Sequence, residues 1–210
     1  AYSLAGGKLV FRGGAGMIQG HVPLLGVDFA DNQTRVLDFF SGPLAGRTIT
    51  LANRYFPETG TVPVGPDDLG NSPRTFTWNL EVQTQIWKNI SFRASYYETH
   101  TRDLFDVNPI LPASGSDGTL ALKNTGSSHY RQAEISGRYR PSDRAEVNVS
   151  YSWSQARGDL NTLSDTFIPF QAPVFRPNFY GTQPSDIPQR AIAWGYMHLP
   201  WDVVVSPVVD

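Results

Sequence analysis

From Arg74 to Trp87 apolar and polar side chains alternate. Phe76, Trp78, Leu80, Val82 and Ile86 fall on one face, and Thr75, Thr77, Asn79, Glu81, Gln83 and Gln85 on the other. A period of two held this long predicts a strand with one apolar and one polar face. After a connector at Trp87-Lys88-Asn89 the alternation resumes in Ile90, Phe92, Ala94 and Tyr96. It recurs in Ala133, Ile135, Gly137 and Tyr139 and, past a turn at Pro141-Ser142-Asp143, in Val147, Val149, Tyr151 and Trp153. A third pair runs from Arg190 to Leu199 and from Asp202 to Val209, with a turn at Pro200. An opening strand from Lys8 to about Gly16 is expected to have no partner before it.

The connections near residues 88, 142 and 200 are short. Those at 17–73, 105–126 and 159–188 are long and rich in Gly, Pro, Asn and Asp. Strict alternation of tight turns with long loops is a feature of outer-membrane barrels, with turns in the periplasm and loops outside. The first long loop is predicted to hold a hairpin of its own, Thr34–Phe40 with Arg47–Asn53.

Face parity fixes register, because a one-residue slip turns every apolar side chain to the wrong side. The first hairpin should pair Ile86 with Ile90, Leu80 with Tyr96 and Gln83 with Arg93, with Glu81 diagonal to Arg93. The second should pair Gly137 with Val147 and Arg138 with Glu146. Phe76, Trp78, Tyr151 and Trp153 fall near the long loops, and Trp87, Tyr139 and Trp201 near the turns. Two such belts are expected where a barrel wall meets the two membrane interfaces.

The fold class expected is therefore all-β: an antiparallel, up-and-down transmembrane β-barrel segment. It has about seven spanning strands, too few to close a large barrel. Residues 1–210 form one partial barrel domain. The competing reading is a soluble or cell-surface β-sandwich of carbohydrate-binding type, in which a second sheet covers the apolar faces. A passive outer-membrane porin is the other alternative.

Composition narrows the chemistry. Charged residues are 17% of the 210, well under the roughly 25% usual in soluble chains. The formal charge of −2 offers no footprint for nucleic acid. There is no cysteine, which removes disulfides and thiolate metal sites. His21, His100, His129 and His198 share no ligand spacing, so no metal or cofactor is expected from them. Asp67-Asp68 and Asp103/Asp106 could hold Ca²⁺ in loops, although exposed loop polarity explains them equally well. Gly14-Ala15-Gly16 with Gly20 is a loose nucleotide fingerprint, but His21-Val22-Pro23 breaks the helix it would need. No nucleophile elbow or carboxylate pair stands out, so no enzymatic activity is expected. Phe167, Phe170, Phe175, Phe179 and Tyr180 crowd the third long loop among prolines. They are the candidate substrate-binding residues, with packing against neighbouring loops as the alternative.

Four stretches also carry motifs similar to those of a known family. Lys8-Leu9-Val10-Phe11-Arg12-Gly13-Gly14-Ala15-Gly16 resembles the "vRGGyG" strand of the TonB-dependent outer-membrane receptors. The run Pro73-Arg74-Thr75-Phe76-Thr77-Trp78-Asn79-Leu80-Glu81-Val82-Gln83 resembles their "prtyqwnlgvqrql" strand. Asn124-Thr125-Gly126-Ser127-Ser128-His129-Tyr130-Arg131-Gln132-Ala133-Glu134-Ile135 resembles their "N-x-G-xx-xxxGlE" strand start, with Ala133 where the family has Gly. Asp186-Ile187-Pro188-Gln189-Arg190 and Leu199-Pro200-Trp201 resemble a late "dvPhR…lPw" hairpin. The branch most similar is the Oar-like group. The resemblance implies import of a scarce, bulky solute, small or oligomeric, across the cell outer membrane. It also implies a plug domain, energy from the TonB complex, and partners in outer-membrane lipid and the rest of the barrel. The chain is expected to be a fragment, lacking plug, TonB box and terminal aromatic strand.

Overall fold

The computed structural model describes residues 2–4, 6, 8–21, 24–57, 60, 62–65, 72–163 and 176–210. Among these residues twelve strands make one sheet: β1 (Tyr2–Leu4), β2 (Leu9–Gln19), β3 (Arg35–Asp38), β4 (Thr48–Tyr55), β5 (Arg74–Trp87), β6 (Ile90–Ile110), β7 (Asp117–Ser142), β8 (Ala145–Asp159), β9 (Tyr180–Thr182), β10 (Gln189–His198), β11 (Val204–Val205) and β12 (Val208–Val209). Its backbone is the open path β1-β2-β5-β6-β7-β8-β10-β11, antiparallel at each step and up-and-down in chain order. Tight turns allow this, since parallel neighbours would need long crossovers.

The first hairpin keeps the expected register, Leu80 opposite Tyr96 and Gln83 opposite Arg93. Near its turn Trp87, not Ile86, faces Ile90. A bulge takes up Ile86 and leaves a two-residue turn at Lys88-Asn89. The second hairpin departs by two residues: Gly137 faces Val149 and Arg138 faces Asn148. Its turn closes as Ser142 with Ala145, and an irregularity between Tyr139 and Ser142 absorbs the difference. The shift is even, so every side chain keeps its face. Arg138 still reaches Glu146, now along a diagonal.

Three other expectations need correction. The opening strand β2 does have an earlier partner, because Tyr2–Leu4 pairs with Phe11–Leu9. Residues 105–126 are not a loop. β6 and β7 run on as a tall hairpin of 21 and 26 residues, leaving only 111–116 to turn. The prolines and glycines there read as loop, yet Val107, Leu120 and Leu122 are fully buried. Pro109 is tolerated because β6 above Arg102 has lost its β5 neighbour and is an edge. Finally, not all pairing is antiparallel: β4 lies parallel to the upper part of β7, with Leu51 opposite Gly118 and Tyr55 opposite Leu122. The predicted hairpin in the first loop is present as β3–β4.

Crossing the hydrocarbon takes about 9–11 tilted residues. The β6–β7 hairpin therefore stands at least 10 residues, roughly 30 Å, beyond it. Around this projection β3, β4 and a short turn at Phe29–Asp31 build a lobe. Its core is Phe29, Leu37, Ile49, Leu51, Tyr55, Phe105, Val107, Leu120, Leu122 and Leu163. The spanning strands have no such core. Leu80, Ile135 and Val149 are each about half exposed, at 49%, 51% and 51%. Among the described residues no second sheet covers them, which rules out the sandwich.

The apolar face forms a slanted band. On β5 it reaches up to Phe76, whose row continues into His100, His129 and Arg157. On β10 it reaches only Ala191, whose row runs through Tyr151, Ile135 and Ala94 to Val82. Val82 lies six residues below Phe76 on β5. Strands about 4.8 Å apart and tilted about 40° should offset a level band by roughly 4 Å, just over one residue, per strand. Four steps give about five residues, close to the slant seen. A flat membrane meeting tilted strands accounts for the pattern.

Candidate functional site

The polar face of the wall carries a chain of charges across four strands. Glu81 on β5 holds Arg12 of β2, which also donates to Gln83 Oε1 at 2.8 Å. Arg93 on β6 lies 4.0 Å from Glu81 and 3.7 Å from Glu134 of β7. Arg138 pairs with Glu146, and Arg190 with Asp210. Thr75–Thr101 and Thr77–Thr99 add hydroxyl contacts of 3.0 Å each. Alternation dictates this, since every second residue of these strands is polar and cross-strand neighbours share a face. Solvent screens half-exposed pairs of this kind, so they add little to stability. Their consequence is electrostatic: the arginines of the polar wall are neutralised while the surface stays wettable. A cleft of about 480 Å³ opens on this face near the turns, lined by Lys8, Arg12, Gln83, Lys88, Arg138 and Arg140. A smaller one of about 180 Å³ lies beside Gln83, Arg93, Asn148 and Trp194.

Of the five aromatics in the third long loop, Phe167, Phe170 and Phe175 lie outside the described residues. Phe179 and Tyr180 are about half exposed. Each lies under a cation: Arg176 is 4.9 Å from the Phe179 ring and Arg157 is 5.6 Å from Tyr180. The two are adjacent but serve different surroundings. Tyr180 belongs to β9, which pairs with the upper end of β8, and it shares a face with Arg157. Gly158 and Gly181 face each other there; a Cβ on Gly158 would come within 2.6 Å of Gln183.

Sequence reasoning missed Asn178. Its Oδ1 accepts from the backbone N–H of Leu160 at 3.1 Å and of Asn161 at 3.0 Å. Its Nδ2 donates to Asp159 at 2.7 Å, and its own N–H to Asn108 Oδ1 at 2.7 Å. One asparagine thus ties the loop to β8 and to the tall hairpin. No local pattern marks it, because all its partners are distant in sequence or set by the loop's course. Asn178→Ala should leave the Asn161 N–H without its acceptor, while the Leu160 N–H keeps the Phe179 carbonyl at 3.2 Å, costing about 1–3 kcal/mol locally. Limited proteolysis of the folded protein should then cut within 159–180 faster, with barrel migration on gels unchanged.

The carboxylates considered for Ca²⁺ have other partners. Asp103 holds Arg74 at 2.8 Å. Asp106 is buried and accepts from Thr125 N–H at 3.0 Å, Thr125 Oγ1 at 2.8 Å and Asn108 Nδ2 at 2.6 Å. Burial pushes its carboxyl above the usual range, helped by nearby Asp159 and opposed by those hydrogen bonds. A raised folded pKa means the proton binds more tightly in the folded lobe. The group therefore favours folding fully below its unfolded value and loses that advantage as pH rises from there through its raised folded value. Asp67 and Asp68 lie outside the described residues. Among the described residues no three His, Asp or Glu side chains converge as a metal site.

A wall with one lipid-compatible face, one polar face, tight turns at one end and tall loops at the other defines a transmembrane barrel. The family model described as "Outer membrane beta barrel domain" matches residues 1–203, and the chain belongs to that family. It is a protein of the outer membrane. No curated protein and no solved structure matches it.

Proposed function

We propose that this chain is part of the barrel of a TonB-dependent receptor, of the Oar-like branch, that imports a scarce bulky solute. The observation that carries the reading is where the family-like stretches fall. Three of them occupy β2, β5 and β7, and the fourth spans β10 and the turn after it. The unpaired edges of the sheet support a larger barrel, since an open edge cannot persist in hydrocarbon. Further strands then complete the wall, and a plug domain sits against the ion-paired polar face. Solute recognition falls to the loop end. There Phe167, Phe170, Phe175, Phe179 and Tyr180 supply aromatic contact at low ordering cost. Catalysis has no place in this reading.

The test is planar-bilayer conductance of the full-length protein. A plugged receptor is expected to stay closed until its plug is deleted and then to conduct. A channel open from the start would make it a passive porin and sink the receptor reading. Deleting residues 164–175, which spares Asn178 and β9, should reduce solute binding while leaving outer-membrane abundance near normal.

A further inference from the structure

The lipid-facing side of the wall is apolar except at its outer end. On the spanning strands β2, β5, β6, β7, β8 and β10, the charged residues and histidines of that face lie there: Arg74, Glu98, His100, Arg102, His129, Arg131, Arg157 and, at the end of β8, Asp159, which is held by Ser127 and Asn178. Arg74 is neutralised by Asp103. Glu98 is taken by His129, 2.6 Å away, and His100 stands 5.8 Å from the same imidazole, ring centre to ring centre. Arg102, Arg131 and Arg157 make no ion pair within 4.0 Å among the described residues, although Glu98, bound to His129, stands directly across the strands from Arg131. Arg131 instead donates to Gln155 at 2.9 Å and lies 5.2 Å over the Trp153 ring. Arg157 lies over Tyr180, and Arg102 donates to His100 at 3.1 Å. The contrast with the polar face is plain, because there each of Arg12, Arg93, Arg138 and Arg190 meets a carboxylate.

Depth gives the cluster its meaning. The row immediately below it holds Leu80, Tyr96, Ala133 and Trp153, and Tyr96 packs on Trp78 with ring centres 5.1 Å apart. Such aromatics sit at headgroup level in a barrel wall. The arginines just above them therefore stand at the height of the outer leaflet's polar groups. They rest on rings, an amide and an imidazole, and each guanidinium keeps further N–H donors for an oxyanion.

We infer that Arg102, Arg131 and Arg157, with His100 and His129 beside them, form a lipid-facing site for the phosphate groups of a phosphorylated glycolipid in the outer leaflet. Arginine matches phosphate oxygens with paired N–H donors, and burial of the apolar acyl chains against the band below adds contact that a free anion lacks. The inference rests on the membrane orientation with loops outside, not on the receptor reading. A soluble phosphate could satisfy the same cations, so the experiment must separate the two sources.

The full-length protein in detergent is offered bis-phosphorylated lipid A or the same lipid with its phosphates removed, and retention is read by native mass spectrometry. The wild type is expected to retain the phosphorylated lipid about tenfold more than the stripped one. The double variant Arg131→Gln, Arg157→Gln should lose that preference. Arg144→Gln, at the opposite end in a periplasmic turn, should keep it. Equal retention of the two lipids by the wild type overturns the inference, whether or not the double variant folds. An unchanged preference in a double variant with native heat-modifiable migration overturns it as well. Displacement of the lipid by millimolar inorganic phosphate would assign the cluster to a soluble anion instead.

Discussion

Arginine at Val82 or Val149 is expected to block insertion of the wall, while arginine at Gln83 or Ser150 is tolerated. Val149 lies mid-strand between Gly137 and Ala193, and Val82 between Phe11 and Ala94, both in the apolar band. A charged side chain at mid-bilayer on the lipid face costs roughly 2–4 kcal/mol, and lumen positions carry charge freely. Gln83 already contacts Arg12 and lines the polar cleft, so a further cation there meets water and the carboxylates of the ladder. The readout is heat-modifiable migration after folding into detergent or lipid. Equal damage from neighbouring positions would show that the two faces do not see different solvents.

Leu122→Ala should do the reverse, unfolding the lobe and sparing the wall. Leu122 is fully buried, lies between Val107 and Tyr55 across its two neighbouring strands, and belongs to the lobe's single core. Emptying such a position costs about 2–5 kcal/mol, of the order of what a small lobe has to lose. Hydrogen exchange should show protection lost at β3, β4 and residues 104–126, with β5, β8 and β10 as slow as before. Loss of protection along the whole of β6 and β7 would mean that lobe and wall unfold as one unit.

The wall was legible in the sequence and the lobe was not, for a physical reason. A spanning strand between lipid and water must alternate without interruption, so Arg74–Trp87 and Val147–Trp153 announce themselves. The lobe mixes strand with Pro109, Gly115 and Gly118, and its strands take their partners from residues far along the chain, as β4 does from β7. Gly118 is required there, since a Cβ would come within 2.7 Å of Leu51. From sequence alone that glycine is indistinguishable from a turn residue. Turn details also escaped, because the bulges at Ile86 and near Pro141 shift the pairing only beside the turns, while the strands beyond them keep their faces. The candidate site was legible in part. The loop aromatics stood out by composition, whereas Asn178 and the unpaired arginines acquire meaning only from what the sheet sets beside them.

No native thiol lies within these 210 residues to compete with a label placed on the wall. Single cysteines placed in turn at residues 146–153 of the full-length protein can carry a spin label. Its collision rates with oxygen, concentrated in lipid, and with a water-soluble nickel complex then report the solvent at each position. At 147, 149, 151 and 153 oxygen should dominate, and at 146, 148, 150 and 152 the nickel complex, with a period of two throughout. A label sequence with no alternation, or with both reagents excluded from the odd positions, would contradict a wall that has lipid on one side and water on the other.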